Sequence, residues 1–230
     1  MLPSSPARLS RRAAFRRLLG VVGMAPLALS SLGVVPSLLG DEAALENTIR
    51  IEEDWSLQIG VPDPETDSPQ ISTVLAPSCT LCGKYAVLEL NCATQPAFSS
   101  GGVQLQLWCD GSIVHSRSNS RWGSLHLENE VIRYTSVMSI KDSHLTFEII
   151  NGSSETWDHF GVGELKVQTE TWRTDLNSYD PNFTLSNSQI GFASHRVRRL
   201  ALERVRYFKA DDTVILDNLP RVLHQYDPSA

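Results

Sequence analysis

The chain has 230 residues, with 20 Lys plus Arg, 26 Asp plus Glu and a formal net charge of −6. Its first forty residues hold five arginines and no acid, so beyond them Lys plus Arg falls from 20 to 15 while Asp plus Glu stays at 26, near −11. That excess argues against general binding to nucleic acid or an anionic membrane surface, both of which need positive charge.

Residues 1–40 read as a targeting device. Arg8, Arg11, Arg12, Arg16 and Arg17 come first, Leu18 to Gly40 runs uncharged, and Asp41-Glu42 follows. A basic stretch before an apolar one is what export machinery recognises. Ser10-Arg11-Arg12 with Phe15 resembles a twin-arginine signal, with the Phe one position late. The alternative is an N-terminal anchor, since the uncharged run is long enough to span a bilayer, although Pro26 and Pro36 weaken a spanning helix. Residues 41–230 are then a single exported domain, placed in the periplasm, at the cell surface or outside the cell.

The domain reads as β. In the loop 61–69, Asp63, Glu65 and Asp67 alternate among prolines, a carboxylate set that suits calcium. Cys79, Cys82, Cys92 and Cys109 suit disulfides in an oxidising compartment, with a four-sulfur zinc site or buried thiols as alternatives. Ala86, Leu88, Leu90 and Cys92 alternate with Tyr85, Val87, Glu89 and Asn91, and Val103, Leu105, Leu107 and Cys109 alternate with Gln104, Gln106 and Trp108. Period-two alternation gives each strand one core face and one outer face. A hairpin between them is expected to set Trp108 opposite Val87, Gln106 opposite Glu89 and Gln104 opposite Asn91. That register favours Cys109 pairing with Cys79 or Cys82 over Cys92.

Ile132, Tyr134, Met138 and Ile140 share a face. A four-residue loop, Lys141 to His144, then lets Ile140 oppose Leu145 and Met138 oppose Phe147. Leu165 and Val167 alternate with Glu164, Lys166 and Gln168. Asp110-Gly111, Asn151-Gly152 and Asp180-Pro181 mark turns. Residues 197–208 are ambiguous: Val197, Leu200, Ala201, Val205 and Phe208 fall at helical spacing, and a strand needs a bulge near Glu203-Arg204. Thr213 to Leu216 reads as a strand. Many short strands between turns predict an all-β, two-sheet antiparallel sandwich.

Ile190-Gly-Phe192, then Val197, Leu200, Leu202 and Val205-Arg-Tyr207, resemble the closing strands of concanavalin A-like (laminin-G-like) jelly-roll sandwiches. Leu145 to Gly152, with Trp157 and Phe160-Gly161, resembles uncharacterised exported bacterial proteins of that fold. The resemblance implies a strand over 197–208 and transfers no catalytic residue. The enzymes of this fold that carry E-x-D-x-x-E or E-x-D-x-E have no counterpart here; Glu128-Asn-Glu130 is the nearest run.

The outer face bearing Tyr85, Glu89, Asn91, Gln104, Gln106 and Trp108 is the candidate ligand-binding site: an aromatic plate can stack on a sugar ring while amides and an acid take its hydroxyls. Arg196, Arg198, Arg199, Arg204 and Arg206 form the basic cluster of the mature part, suited to a polyanion unless nearby acids neutralise it. Glu128, Glu130, Glu148, Asp158, His144 and His159 are the acid–base candidates, with no spacing that joins two of them. The expected function is a non-catalytic exported sandwich that binds carbohydrate or another cell-surface component. Its alternatives are a glycan-degrading glycosidase or lyase and a structural protein of the cell envelope. No cofactor is expected beyond the calcium of the acidic loop.

Overall fold

The computed structural model describes residues 45–60, 69–78, 83–90, 102–119 and 127–226. These residues form, in chain order, β1 (Thr48–Ile59), β2 (Gln70–Leu75), β3 (Lys84–Leu90), β4 (Val103–Cys109), β5 (Ser112–Asn119), β6 (Val131–Lys141), β7 (His144–Ser154), β8 (Asp158–Phe160), β9 (Lys166–Glu170), α1 (Pro181–Asn187), β10 (Gln189–Phe192), β11 (Val197–Lys209), β12 (Val214–Asp217) and β13 (Arg221–Gln225).

Alternation in β1 organises the larger sheet. Ile51, Trp55, Leu57 and Ile59 sink into the core, while Arg50, Glu52, Asp54, Ser56 and Gln58 line the opposite face. β1 pairs antiparallel with β6 on one side and β11 on the other. β7 extends the sheet beyond β6 and is itself paired by β8 and β9, while β12 and β13 lie along β11. The smaller sheet runs β10-β2-β3-β4-β5. Its inward residues Ile71, Leu88, Leu90, Val103, Leu105 and Leu107 meet Trp55, Tyr134, Met138, Phe147, Leu200 and Leu202 of the larger sheet in one buried cluster. Each such side chain contributes about 1.5–3 kcal/mol by leaving water, which binds the two sheets face to face. The architecture is the expected all-β antiparallel sandwich of two sheets.

The β6–β7 hairpin has the expected register, with Ile140 opposite Leu145 and Met138 opposite Phe147. Its loop is shorter than expected: Lys141 pairs with His144, leaving a two-residue turn at Asp142 (φ 49°) and Ser143 (φ 60°). Two successive positive φ angles match the twist of the flanking strands. Residues 197–208 are a strand, as the resemblance implied. Asp54 pairs with Arg204 and Trp55 with Leu202, so Glu203 has no partner in β1 and is the bulged residue. That extra residue lets Leu200 and Leu202 share the core with Val205 and Tyr207.

Three expectations are corrected. The β3–β4 register is slipped by two residues: Trp108 stands opposite Tyr85, Gln106 opposite Val87 and Gln104 opposite Glu89. A slip of two leaves every side chain on its own face, so the apolar pattern does not choose between the registers. Asn151-Gly152 is not a turn between strands. It lies inside β7, where two residues span the step that Tyr134 alone covers in β6, and Asn151 takes φ 54°. Asp180-Pro181 starts α1: Asp180 caps the helix by accepting from Asn182 N at 2.8 Å, and Pro181 occupies the first turn, where no amide hydrogen is needed.

Candidate functional site

The smaller sheet brings Tyr85, Glu89, Gln104, Gln106 and Trp108 onto one outer face; Asn91 lies outside the described residues. Much of that face is covered. Tyr85 and Val87 are buried, with Phe183 of α1 packed against the cluster they form with Val74 and Ala76. The Tyr85 and Trp108 rings stack on each other, centroids 6.1 Å apart and 11° from parallel. Trp108 Nε1 donates to Gln106 Oε1 (2.9 Å), Gln106 Nε2 to Gln104 Oε1 (2.7 Å) and Gln104 Nε2 to Ser118 Oγ (2.8 Å). Burial pushes the Glu89 carboxyl up, partly offset by donation from Ser72 (2.9 Å) and Gln70 (3.2 Å). The polar groups of this face are largely spent on one another, with Trp108, Gln104 and Glu89 partly exposed.

The larger sheet carries an open cleft of about 700 Å³ on its outer face. That volume falls within the roughly 300–1,000 Å³ of small-ligand pockets. Its walls come from β1, β6, β7 and β11, including Ser56, Gln58, Arg133, Asn151, Ser153 and Arg199. The bulge at Glu203 shapes one wall. Glu203 reaches back to accept from both Ser56 Oγ and Arg199. The Arg199 bond holds the Glu203 carboxyl below the usual carboxylate range, against partial desolvation. Asp54 anchors the rest: Arg204 Nη2 donates to Oδ2 (2.6 Å), and Arg206 Nη2 (2.8 Å) and Thr135 Oγ1 (2.8 Å) donate to Oδ1. Arg206 Nε also lies 2.8 Å from Glu52 Oε2.

Arg133 differs from these arginines. Its cross-strand neighbours are Ser56 in β1 and Ser153 in β7, neither acidic. It is exposed and makes no ion pair with a described residue, although its charge helps to keep Glu203 ionised. The side chains of Gln58, Asn151 and Ser153 likewise make no hydrogen bond to another described residue. Trp55 and Tyr134 also border the cleft, but they are buried and stack on each other on the core side, 6.4 Å between centroids. The cleft floor therefore offers polar groups and charge rather than an open aromatic plate.

The basic cluster read from the sequence is dispersed and mostly neutralised. Arg196 is buried, Arg198 pairs with Glu128 at 3.3 Å, and Arg199, Arg204 and Arg206 meet Glu203, Asp54 and Glu52. The acid–base candidates are likewise scattered. Glu130 is buried and accepts from Thr156 N (2.8 Å) and Oγ1 (2.7 Å), Glu148 lies 3.7 Å from Lys166, and the exposed Asp158 and His159 lie 3.8 Å apart. His144 Nδ1 sits 2.8 Å from its neighbour Asp142 O. Cys109 is a free thiol, 3.5 Å from Asp110 Oδ2, unlike the expected bridge to Cys79 or Cys82. The other three cysteines lie outside the described residues, as do Asp63, Glu65 and Asp67 of the calcium expectation.

Sequence reasoning missed Arg133, Asp54, Ser56 and Gln58. The signal for three of them is present in β1, where Arg50, Glu52, Asp54, Ser56 and Gln58 recur at every second position. It also missed Glu53, which the same alternation places in the core, where Tyr179 Oη (2.5 Å) and Trp55 Nε1 (2.9 Å) donate to its carboxylate. No family model matches the chain, and no curated protein matches it. A solved structure of ligand-free congerin I is similar over 54% of this chain and 86% of its own, at 8% identity and a TM-score of 0.29. At that score the likeness carries no argument, and the fold rests on the two sheets themselves.

Proposed function

We propose that this chain is an exported, non-catalytic β-sandwich that binds carbohydrate in the cleft of its eight-stranded sheet. The observation that carries the reading is the set of polar side chains that make no hydrogen bond or ion pair to a described residue, Gln58, Arg133, Asn151 and Ser153, along an open cleft of about 700 Å³. Amide, hydroxyl and guanidinium groups held on paired strands suit a ligand rich in hydroxyls. The Trp108 face is the weaker candidate, because Trp108, Gln106 and Gln104 already satisfy one another. Export is supported by the five arginines ahead of the uncharged run 18–40.

The non-catalytic reading rests on the two cleft carboxylates. A glycosidase needs one carboxyl kept protonated as a general acid. Glu203 is held below its ordinary value by Arg199, and Asp54 is shared by Arg204 and Arg206. The test is a glycan-array screen of the purified full chain, with and without calcium, beside Gln58→Ala and Trp108→Ala. Binding lost in Gln58→Ala and kept in Trp108→Ala supports the cleft; the reverse moves the site to the smaller sheet.

One observation favours a second reading, a structural protein of the envelope. Val214, Leu216, Leu219 and Val222 are large apolar side chains about half exposed along the β12–β13 edge. Concentration-dependent assembly in analytical ultracentrifugation, abolished by Leu216→Asp, would support it.

A further inference from the structure

We propose that the cleft takes an acidic sugar, with Arg133 receiving the carboxylate of a uronate residue. This rests on the carbohydrate reading above. Two features of the cleft carry it. First, Arg133, Arg199, Arg204 and Arg206 line the cleft against Asp54 and Glu203, with Glu52 beside Arg206, which leaves one more arginine than acid in a chain whose net charge is −6. Second, that surplus is not evenly spread. Arg204 and Arg206 are bound to Asp54, and Arg199 is bound to Glu203. Arg133, flanked across the sheet by Ser56 and Ser153, is exposed and unpaired among the described residues.

A guanidinium offers a planar pair of donors that matches a carboxylate, so an arginine with no direct ion pair to a described residue, beside amides and hydroxyls, reads as an anion seat within a hydroxyl-binding surface. Among the described residues that line the cleft, no aromatic ring is exposed, which points the same way. Trp55 and Tyr134 are buried, so a neutral sugar finds no stacking plate among the lining residues, whereas an acidic one gains a charge-assisted contact. Gln58 and Asn151 are placed to take the hydroxyls around that carboxylate.

The experiment is isothermal titration of the purified full chain with trigalacturonate, its neutral methyl ester and a sulfated oligosaccharide of similar length. Wild type is compared with Arg133→Gln and Arg133→Lys. Because Arg133 is an exposed side chain, both variants are expected to keep the wild-type far-UV spectrum. Trigalacturonate is expected to bind at least about tenfold tighter than its ester, as one charge-assisted contact implies. Arg133→Gln removes that preference, and Arg133→Lys, which keeps the charge but not the fork, retains part of it. Equal binding of acid and ester, or an unchanged preference in Arg133→Gln, overturns the assignment while leaving carbohydrate binding in place. Tighter binding of the sulfated sugar than of the uronate overturns the carboxylate assignment. No binding of any of these sugars at millimolar concentration overturns both this inference and the reading beneath it.

Discussion

The Tyr179 hydroxyl donates a 2.5 Å hydrogen bond to Glu53 Oε1 in the sandwich core, and Trp55 Nε1 donates to the other oxygen at 2.9 Å. Glu53 is fully buried, and desolvation pushes its pKa from 4.5 up to about 7, with the two donors and the charge of Arg221 acting against the rise. Between those two values the folded chain holds a proton that the unfolded chain has released. This group's contribution is therefore complete below pH 4.5 and lost as pH rises through about 7. The shift corresponds to about 3 kcal/mol. Urea midpoints at pH 5 and pH 8 should show that loss in the wild type and a flatter profile in Glu53→Gln. A variant that keeps the full loss would place the titration elsewhere.

The bulge at Glu203 yields a prediction about deletions. Removing Glu203 leaves Leu200, Leu202, Val205 and Tyr207 in simple alternation, so this stretch of the strand can pair without its bulge and keep its core face. Deleting Glu203 should therefore give a folded protein, within about 2 kcal/mol of wild type, that has lost the carboxylate holding Arg199 in place. Deleting Ala201 instead turns part of the strand's apolar set outward and should abolish folding. Circular dichroism and urea titration of the two deletions check this, and similar stabilities would contradict the assigned register.

Gly152 is fixed by a neighbour rather than by a turn. A Cβ built there would lie 2.4 Å from Phe160 Cδ2 and 2.5 Å from the Phe160 carbonyl oxygen. Phe160 is buried against Trp157, ring centroids 5.9 Å apart, and has little room to yield. Gly152→Ala is expected to cost about 1–3 kcal/mol, as overpacking does. Chemical denaturation measures it, and a neutral effect would show that β8 moves freely against β7.

Trp108→Ala separates packing from binding. The ring stacks on Tyr85 and bonds to Gln106, so its removal should cost about 2 kcal/mol of stability. Glycan affinity should stay unchanged at temperatures where the variant remains folded. A lost affinity at full foldedness would return the site to the smaller sheet.

How much of this was legible in the sequence depended on the range over which the information acts. The β6–β7 register was readable because Ile140, Leu145, Met138 and Phe147 flank a short turn, so local pattern and turn agree. Residues 197–208 mimicked a helix because register shifts at Arg198 and Glu203 each move the apolar set by one position, and a bulge leaves no mark in period-two alternation except its failure. The β3–β4 slip was hidden because two-residue shifts preserve both faces. The cleft itself was not legible. It is assembled from β1, β6, β7 and β11, whose order in the sheet is set by long-range pairing. In Glu52-Glu53-Asp54 the core acid is masked by its neighbours, which make the run look like a solvated patch.

The most direct test of the central claim is an NMR titration of the isotope-labelled full chain with the oligosaccharide that binds most tightly. The account predicts amide shifts concentrated at Ser56, Gln58, Arg133, Asn151 and Ser153, on three strands of the larger sheet. Shifts confined to Gln104, Gln106 and Trp108 on the smaller sheet would contradict it.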